Sequence, residues 1–274
     1  MKLGKFAYIL ILVILVAVFG VSAWHVGGYF VESNREQGQF DELAAMKEQA
    51  LQQTQPAQTP ETTAPPASEA ETEPDEPTEP TEPSMLAEYA VIYEQNNDVV
   101  GWIKIDGTKI DYPVMQTPDR PNYYIDHSFN GAASKHGCIY IREECDMNEP
   151  SDNITIYGHN MLDGSMFAAL LDYQHKEAWD NNPLIFFDTL TEYHTYKIFA
   201  VFKTTASLNE GFKYHHMIDA ANKKEFNNFI ATCKELAFYD TGITPKYGDK
   251  IICLSTCEYT LEHGRFVVCA VRIT

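Results

Sequence analysis

Lys250-Ile251-Ile252-Cys253-Leu254-Ser255-Thr256-Cys257 is an apolar run that turns small and polar at its end. It reads as a buried strand over Lys250–Thr256, with Cys257 emerging at its tip. A second run, Ile154–Tyr157, gives way in the same manner to Gly158-His159-Asn160. A third, Arg265–Ile273, follows the first after a loop from Glu258 to Gly264. Five more short runs broken by turn residues stand beside these: Val100–Ile105, Ile110–Pro113, Cys138–Ile141, Leu184–Asp188 and Tyr193–Thr204. Asp106-Gly107 is a tight hairpin signal between the first two of these five. Strands this short and this numerous predict a mainly β fold, a closed or nearly closed barrel of about eight strands.

Helical segments interrupt the strands. One opens at Asp163 or Gly164 and runs through Met166, Phe167, Leu170 and Leu171. Lys176–Asn181 forms another, ending before Pro183. Ala220–Ala237 carries Phe226, Phe229, Ile230, Cys233 and Leu236 at helical spacing, with Asp219 as its expected N-cap. Ahead of the strands, Ser84 is placed to cap a helix over Met85–Asn97.

The N-terminal part of the chain is organised differently. Residues 1–5 carry Lys2 and Lys5, and 6–24 is a run without charge, long enough to cross a bilayer. Such a span is read as an uncleaved anchor in preference to a signal peptide, because it is long for an h-region. Basic residues ahead of it put the N-terminus in the cytoplasm and the remainder outside. Residues 25–53 follow as a juxtamembrane helix, with Phe40, Leu43, Ala44, Ala50 and Leu51 at helical spacing. Residues 54–84 are rich in Pro, Thr and Glu and contain no aromatic and no basic residue. That segment cannot bury enough apolar surface to offset chain entropy and reads as a disordered acidic linker. Residues 85–274 form the folded domain. The net charge of −19 excludes a basic footprint for nucleic acid.

Six cysteines occur, at 138, 145, 233, 253, 257 and 269. Their spacing fits no zinc pattern, so no metal or other cofactor is expected. Cys253 and Cys257 are four residues apart on one strand, roughly 13 Å by strand rise, and should not bond each other. Cys233, Cys253 and Cys269 lie in apolar runs and read as buried small hydrophobes. Cys138 and Cys145 are a candidate disulfide pair.

The chemistry concentrates at the strand tips. Cys257 is a thiol at a rim, and a thiolate is the nucleophilic form that nearby cations stabilise. His159, on a Gly-Asn turn, is an imidazole free to trade protons in the useful range. Arg265 starts the last strand at the same end as Cys257, where its fork can donate to a developing oxyanion. The competing reading for Arg265 is an ion pair with Glu258 or Glu262. His263 is the second choice of base. A thiol, an imidazole and a guanidinium so placed are the parts of a cysteine acyl-transfer site.

Tyr157-Gly158-His159-Asn160, Leu254-Ser255-Thr256-Cys257 and Arg265-Phe266-Val267 together resemble a sortase, a cysteine transpeptidase of Gram-positive cell surfaces. Asn97-Asp98-Val99-Val100-Gly101-Trp102-Ile103, Asp111-Tyr112-Pro113-Val114-Met115-Gln116 and Tyr123-Tyr124 extend the resemblance toward the N-terminus. Asn160-Met161-Leu162-Asp163-Gly164-Ser165-Met166-Phe167 and the helix before the cysteine strand are similar to class B in particular. The resemblance implies an eight-stranded barrel and a thioester acyl-enzyme on Cys257. His159 would protonate the leaving amine, and Arg265 would hold the carbonyl or oxyanion. Ser255 and Glu258 would line the substrate groove, with the segment Thr204–Ala237 as one wall. The implied partners are secreted proteins bearing a C-terminal sorting signal, and an amine of a peptidoglycan cross-bridge or a pilin lysine as acceptor. The alternatives are a secreted cysteine protease, with water as acceptor, and a surface adhesin or scaffold without activity.

Overall fold

A computed structural model describes residues 4–54, 84–207 and 209–274. Most of the acidic linker expected at 54–84 lies outside the described residues. The chain divides between Glu42 and Leu43 into two units. Helix α1 (Lys5–Thr54) supplies the first unit and begins the second. It is long and apolar enough, by length and composition, to cross a membrane. Within the second unit its last turns lay the Lys47 ammonium over the Trp102 ring, 4.2 Å from the centroid. That ring's N–H donates to Asp111 at 2.6 Å.

Eight strands form the closed barrel: β1 (Val99–Lys104), β2 (Asp111–Met115), β3 (Ile139–Ile141), β4 (Asn153–Tyr157), β5 (Leu184–Thr189), β6 (Thr195–Thr205), β7 (Ile251–Cys257) and β8 (Gly264–Arg272). Their order around the barrel is β1-β2-β3-β4-β7-β8-β6-β5, and β1 pairs with β5 to close it. The β2/β3 and β4/β7 pairs are parallel, and the others antiparallel. Each expected strand is present, displaced by at most two residues at either end.

Strand β7 is buried on both faces until its last residue. Side chains alternate along a strand, so Ile251, Cys253, Ser255 and Cys257 share one face. Helix α4 (Lys223–Leu236) covers that face, with Phe226, Phe229, Ile230 and Cys233 in one cluster with Ile251, Cys253, Val267 and Cys269. This two-sided burial is why the strand reads as an unbroken apolar run. Cys253 and Cys269 face each other across β7/β8, with their sulfurs 2.9 Å apart and wholly buried.

The short helices depart from expectation in their caps. Helix α2 (Ala87–Tyr93) is shorter than Met85–Asn97, and Leu86, not Ser84, occupies its N-cap. The segment from Asp163 becomes a loop followed by a 3₁₀ helix at Ala168–Gln174, while α3 (Lys176–Asn181) stands as read. Asn222 caps α4, its side-chain oxygen accepting from the N–H groups of Lys224 and Glu225 at 3.0 and 3.1 Å. Asp219 instead accepts from the Asp152 N–H at 2.9 Å, tying the α4 approach to the entry of β4.

The 3₁₀ turn Tyr214–His216 lies ahead of α4. Burial, with the positive charges of Arg142, His216 and Lys213, pushes the His215 imidazole down from 6.5 to about 4. Its Nδ1 is buried without a hydrogen-bond partner. The unfolded chain therefore takes up this proton near 6.5, whereas the folded protein holds out to about 4. Stability is intact above 6.5 and declines as the pH falls toward 4. His215→Gln should flatten this decline, so that its melting temperature falls about 2–4 °C less than wild type over that range. Parallel melting-temperature profiles for the two proteins would refute the assignment.

Candidate active site

The parallel β4/β7 pair sets Tyr157 against Ser255 and carries both chains to the same rim. The Gly158 N–H continues the ladder to the Ser255 carbonyl at 3.1 Å. His159 thus stands level with Cys257, two residues past the last matched pair. Strand β8 enters antiparallel from that rim, and Arg265 lies directly opposite Cys257. Directly opposed residues have Cα atoms about 4.5–5.5 Å apart. His159, Cys257 and Arg265 line one cleft with Ile125, Tyr140, Tyr157, Gly158, Ser255 and Thr256, enclosing about 60 Å³.

Cys257 is half-buried, and the other five cysteines are fully buried. It lies outside the apolar cluster that α4 builds over Cys253 and Cys269. Among the described residues none of the six forms a disulfide, so the candidate pair Cys138 and Cys145 is not bonded.

His159 is held at both ends. Its Nε2 donates to the Ile125 carbonyl at 2.6 Å, and its own carbonyl accepts from the Phe167 N–H at 2.9 Å. Asn160 donates from its side chain to the Cys257 carbonyl at 3.1 Å, bridging the two rim segments. Gly158 has no room for a side chain: an added Cβ would stand 2.5 Å from Ile139 and 2.7 Å from the Phe167 ring. His263 lies outside the cleft, 69% exposed in a left-handed turn, and drops out as second choice of base.

Arg265 donates from Nη1 to the Gly264 carbonyl at 3.0 Å. Among the described residues no carboxylate pairs with it, so the expected competition from Glu258 or Glu262 is absent. Glu258 is committed elsewhere. It is 3% exposed, pairs with Lys203 at 2.9 Å, and accepts from the N–H groups of Thr260 and Leu261 at 3.0 and 3.2 Å. Burial opposes its charge, but the Thr260 and Lys203 hydrogen bonds outweigh it and hold the carboxyl below the usual range. Its side chain builds the loop and offers no free acceptor to a groove. Ser255 lines the floor of the cleft, yet its hydroxyl is bonded to the buried Tyr214 hydroxyl at 2.6 Å. Ser255 thus lines the cleft as the resemblance implies, with its hydroxyl engaged, whereas Glu258 is turned into its own loop and away from the cleft.

Two tyrosines went unremarked as cleft residues. Tyr140 and Tyr157 pack with ring centroids 5.4 Å apart, and burial pushes both phenols up, so both stay neutral. Tyr157 stands in the quoted Tyr-Gly-His-Asn run. Tyr140 carries no local signal beyond its place in a strand.

The sortase domain family matches residues 103–273. The chain belongs to the sortase family. It is 36% identical over 177 residues to sortase B of Listeria monocytogenes, covering 63% of this chain and 69% of that one. With sortase B of Staphylococcus aureus it shares 29% identity over 177 residues, covering 64% and 70%. A solved Staphylococcus aureus sortase B–substrate complex superposes with a TM-score of 0.72 at 23% identity, over 89% of this chain and 99% of that one. This last likeness speaks to the fold, the same closed barrel with helices.

Gly158→Ala tests how tightly the rim is built. The added methyl must displace the buried Phe167 ring or the Ile139 side chain, at a cost of about 1–3 kcal/mol. Unfolding by urea should register that loss. Wild-type stability in the variant would contradict the close packing.

Proposed function

We propose that this sortase is a membrane-anchored cysteine transpeptidase whose nucleophile is Cys257. The Cys257 sulfur attacks a backbone carbonyl carbon in a C-terminal sorting motif of a secreted protein. The carbonyl becomes an oxyanion, for which Arg265 directs its free N–H donors. As the intermediate collapses, the C–N bond breaks and the imidazolium of His159 gives its proton to the leaving amine. A thioester remains. An amine of the cell wall, or a pilin lysine, then attacks that thioester and loses its proton to His159, and the thiolate departs.

One observation carries this reading: strand β4, remote in sequence, and the consecutive strands β7 and β8 bring imidazole, thiol and a guanidinium with no carboxylate partner among the described residues to one rim of the barrel. The small cleft agrees with it. About 60 Å³ has room for a water molecule or two and not for a peptide. A substrate chain would lie across the mouth and present only its scissile carbonyl. The organisation read from the sequence completes the proposal. Residues 6–24 anchor the chain, with the N-terminus in the cytoplasm and the catalytic domain at 85–274 outside the cell.

Full-length protein in detergent micelles, a peptide library and a primary-amine acceptor test it. Cys257→Ala should abolish thioester and product, while Cys253→Ala should retain both. Arg265→Ala should cost about 10²–10³-fold in kcat. Adding the amine should convert a hydrolysed product into an amide. Equal behaviour of the two cysteine variants would remove the nucleophile, and an acid product indifferent to amine would make the enzyme a protease.

A further inference from the structure

The hydrogen bond from His159 to Ile125 decides which imidazole nitrogen does the chemistry. A carbonyl oxygen only accepts, so Nε2, 2.6 Å from it, must carry hydrogen. In the neutral ring Nδ1 is then the bare nitrogen. In the imidazolium, Nδ1 carries the proton that can leave without breaking that bond.

The carbonyl itself is placed by a short relay of hydrogen bonds. Ile125 ends the 3₁₀ turn Tyr123–Ile125, and its N–H returns to the Asn122 carbonyl at 3.0 Å. Asn122 is left-handed, with φ of 57°, a conformation that Asn adopts more readily than other residues bearing a Cβ. Its side-chain oxygen accepts from the Tyr140 hydroxyl at 3.0 Å. Tyr140 is the middle residue of β3, is 7% exposed and pairs in register with Tyr157, two residues ahead of His159. Strand β3 therefore holds the turn that holds the imidazole. Gly137 lets the turn approach, since an added Cβ there would stand 2.6 Å from the Ile125 carbonyl oxygen.

We propose that Tyr140 is a positioning residue that acts through Asn122 and the Ile125 carbonyl to fix His159 as its Nε2–H tautomer. Nδ1 is then the atom that protonates the leaving amine and takes the proton of the incoming one. The proposal rests on the reading of His159 as the proton carrier. The electron pair of the broken C–N bond stays on the leaving nitrogen, which receives the Nδ1 proton. In the second half-reaction the incoming amine's proton returns to Nδ1.

Tyr140→Phe removes only the hydroxyl and keeps the ring in the β3/β4 packing. Asn122→Gly removes the acceptor and keeps the left-handed backbone accessible. The full-length protein in micelles, with ¹⁵N-labelled histidine, reports the tautomer directly by NMR. Wild type should show His159 protonated at Nε2, and each variant should show the Nδ1–H form mixed in. The kcat for amide formation should fall about threefold to tenfold in each, with KM nearly unchanged. The double variant should be no worse than either single one, because both cut the same relay. A wild-type tautomer pattern in Tyr140→Phe, or additive losses in the double variant, would overturn the proposal. His159→Gln with full transfer activity would instead remove His159 as proton carrier, and the tautomer spectra of the other variants would still judge the relay.

Discussion

The parallel pairing of β4 with β7 is the constraint on which the rest depends. Parallel neighbours need a long crossover between them, and here it contains α3, β5, β6 and α4. Those elements close the barrel and cover the outer face of β7. The register must be fixed to the residue, because a slip of one would turn Cys257 to the opposite face. Asn153 helps to fix it. Its buried side chain donates to the carbonyls of Tyr214 and Met217 at 3.0 and 2.7 Å, and its N–H goes to Ile218. The same turn then delivers the Tyr214 hydroxyl to Ser255, one side-chain step below the thiol. Strand register, turn and cleft floor are set together.

The six cysteines are sorted by cover rather than by sequence context. Cys253, Ser255 and Cys257 share one face of β7, and burial grades along it from complete to partial. Cys253 and Cys269 are fully buried in apolar surroundings, which push their thiols up and leave them un-ionised. Cys257 shares their strand pair and differs in lying outside the apolar cluster that α4 builds over Cys253 and Cys269.

Much of this was legible in the sequence because β4, β7 and β8 are buried on both faces over most of their length and read as apolar runs, while β5 and the ends of β6 alternate. Short β-type runs between turn residues located all eight strands, and the strand-to-turn transitions singled out His159 and Cys257, which the fold brings to one cleft. The caps were less legible, since Asp219 and Asn222 are equally suitable by type and only tertiary contacts decide between them. The engagement of Glu258 with Lys203 and of Ser255 with Tyr214 was not legible, because a motif position does not reveal an internal partner. The Ile125 carbonyl had no signal, since every residue carries the same backbone oxygen and only folding aims one of them at an imidazole.

That no carboxylate among the described residues pairs with Arg265 requires explanation in a chain with a net charge of −19. Glu258 follows Cys257 immediately and would be the natural partner for Arg265. Lys203 on β6 takes it instead, together with two N–H groups of the loop. The turn that permits this is tight: His263 is left-handed, and an added Cβ on Gly264 would stand 2.4 Å from the Glu258 carbonyl oxygen. The shortness of the loop between Cys257 and Arg265 is therefore what sets them face to face. Its acidic residue stabilises the turn, and once so engaged cannot neutralise the arginine. The positive charge at the rim is not neutralised by Glu258, because that carboxylate is spent on holding the rim in shape.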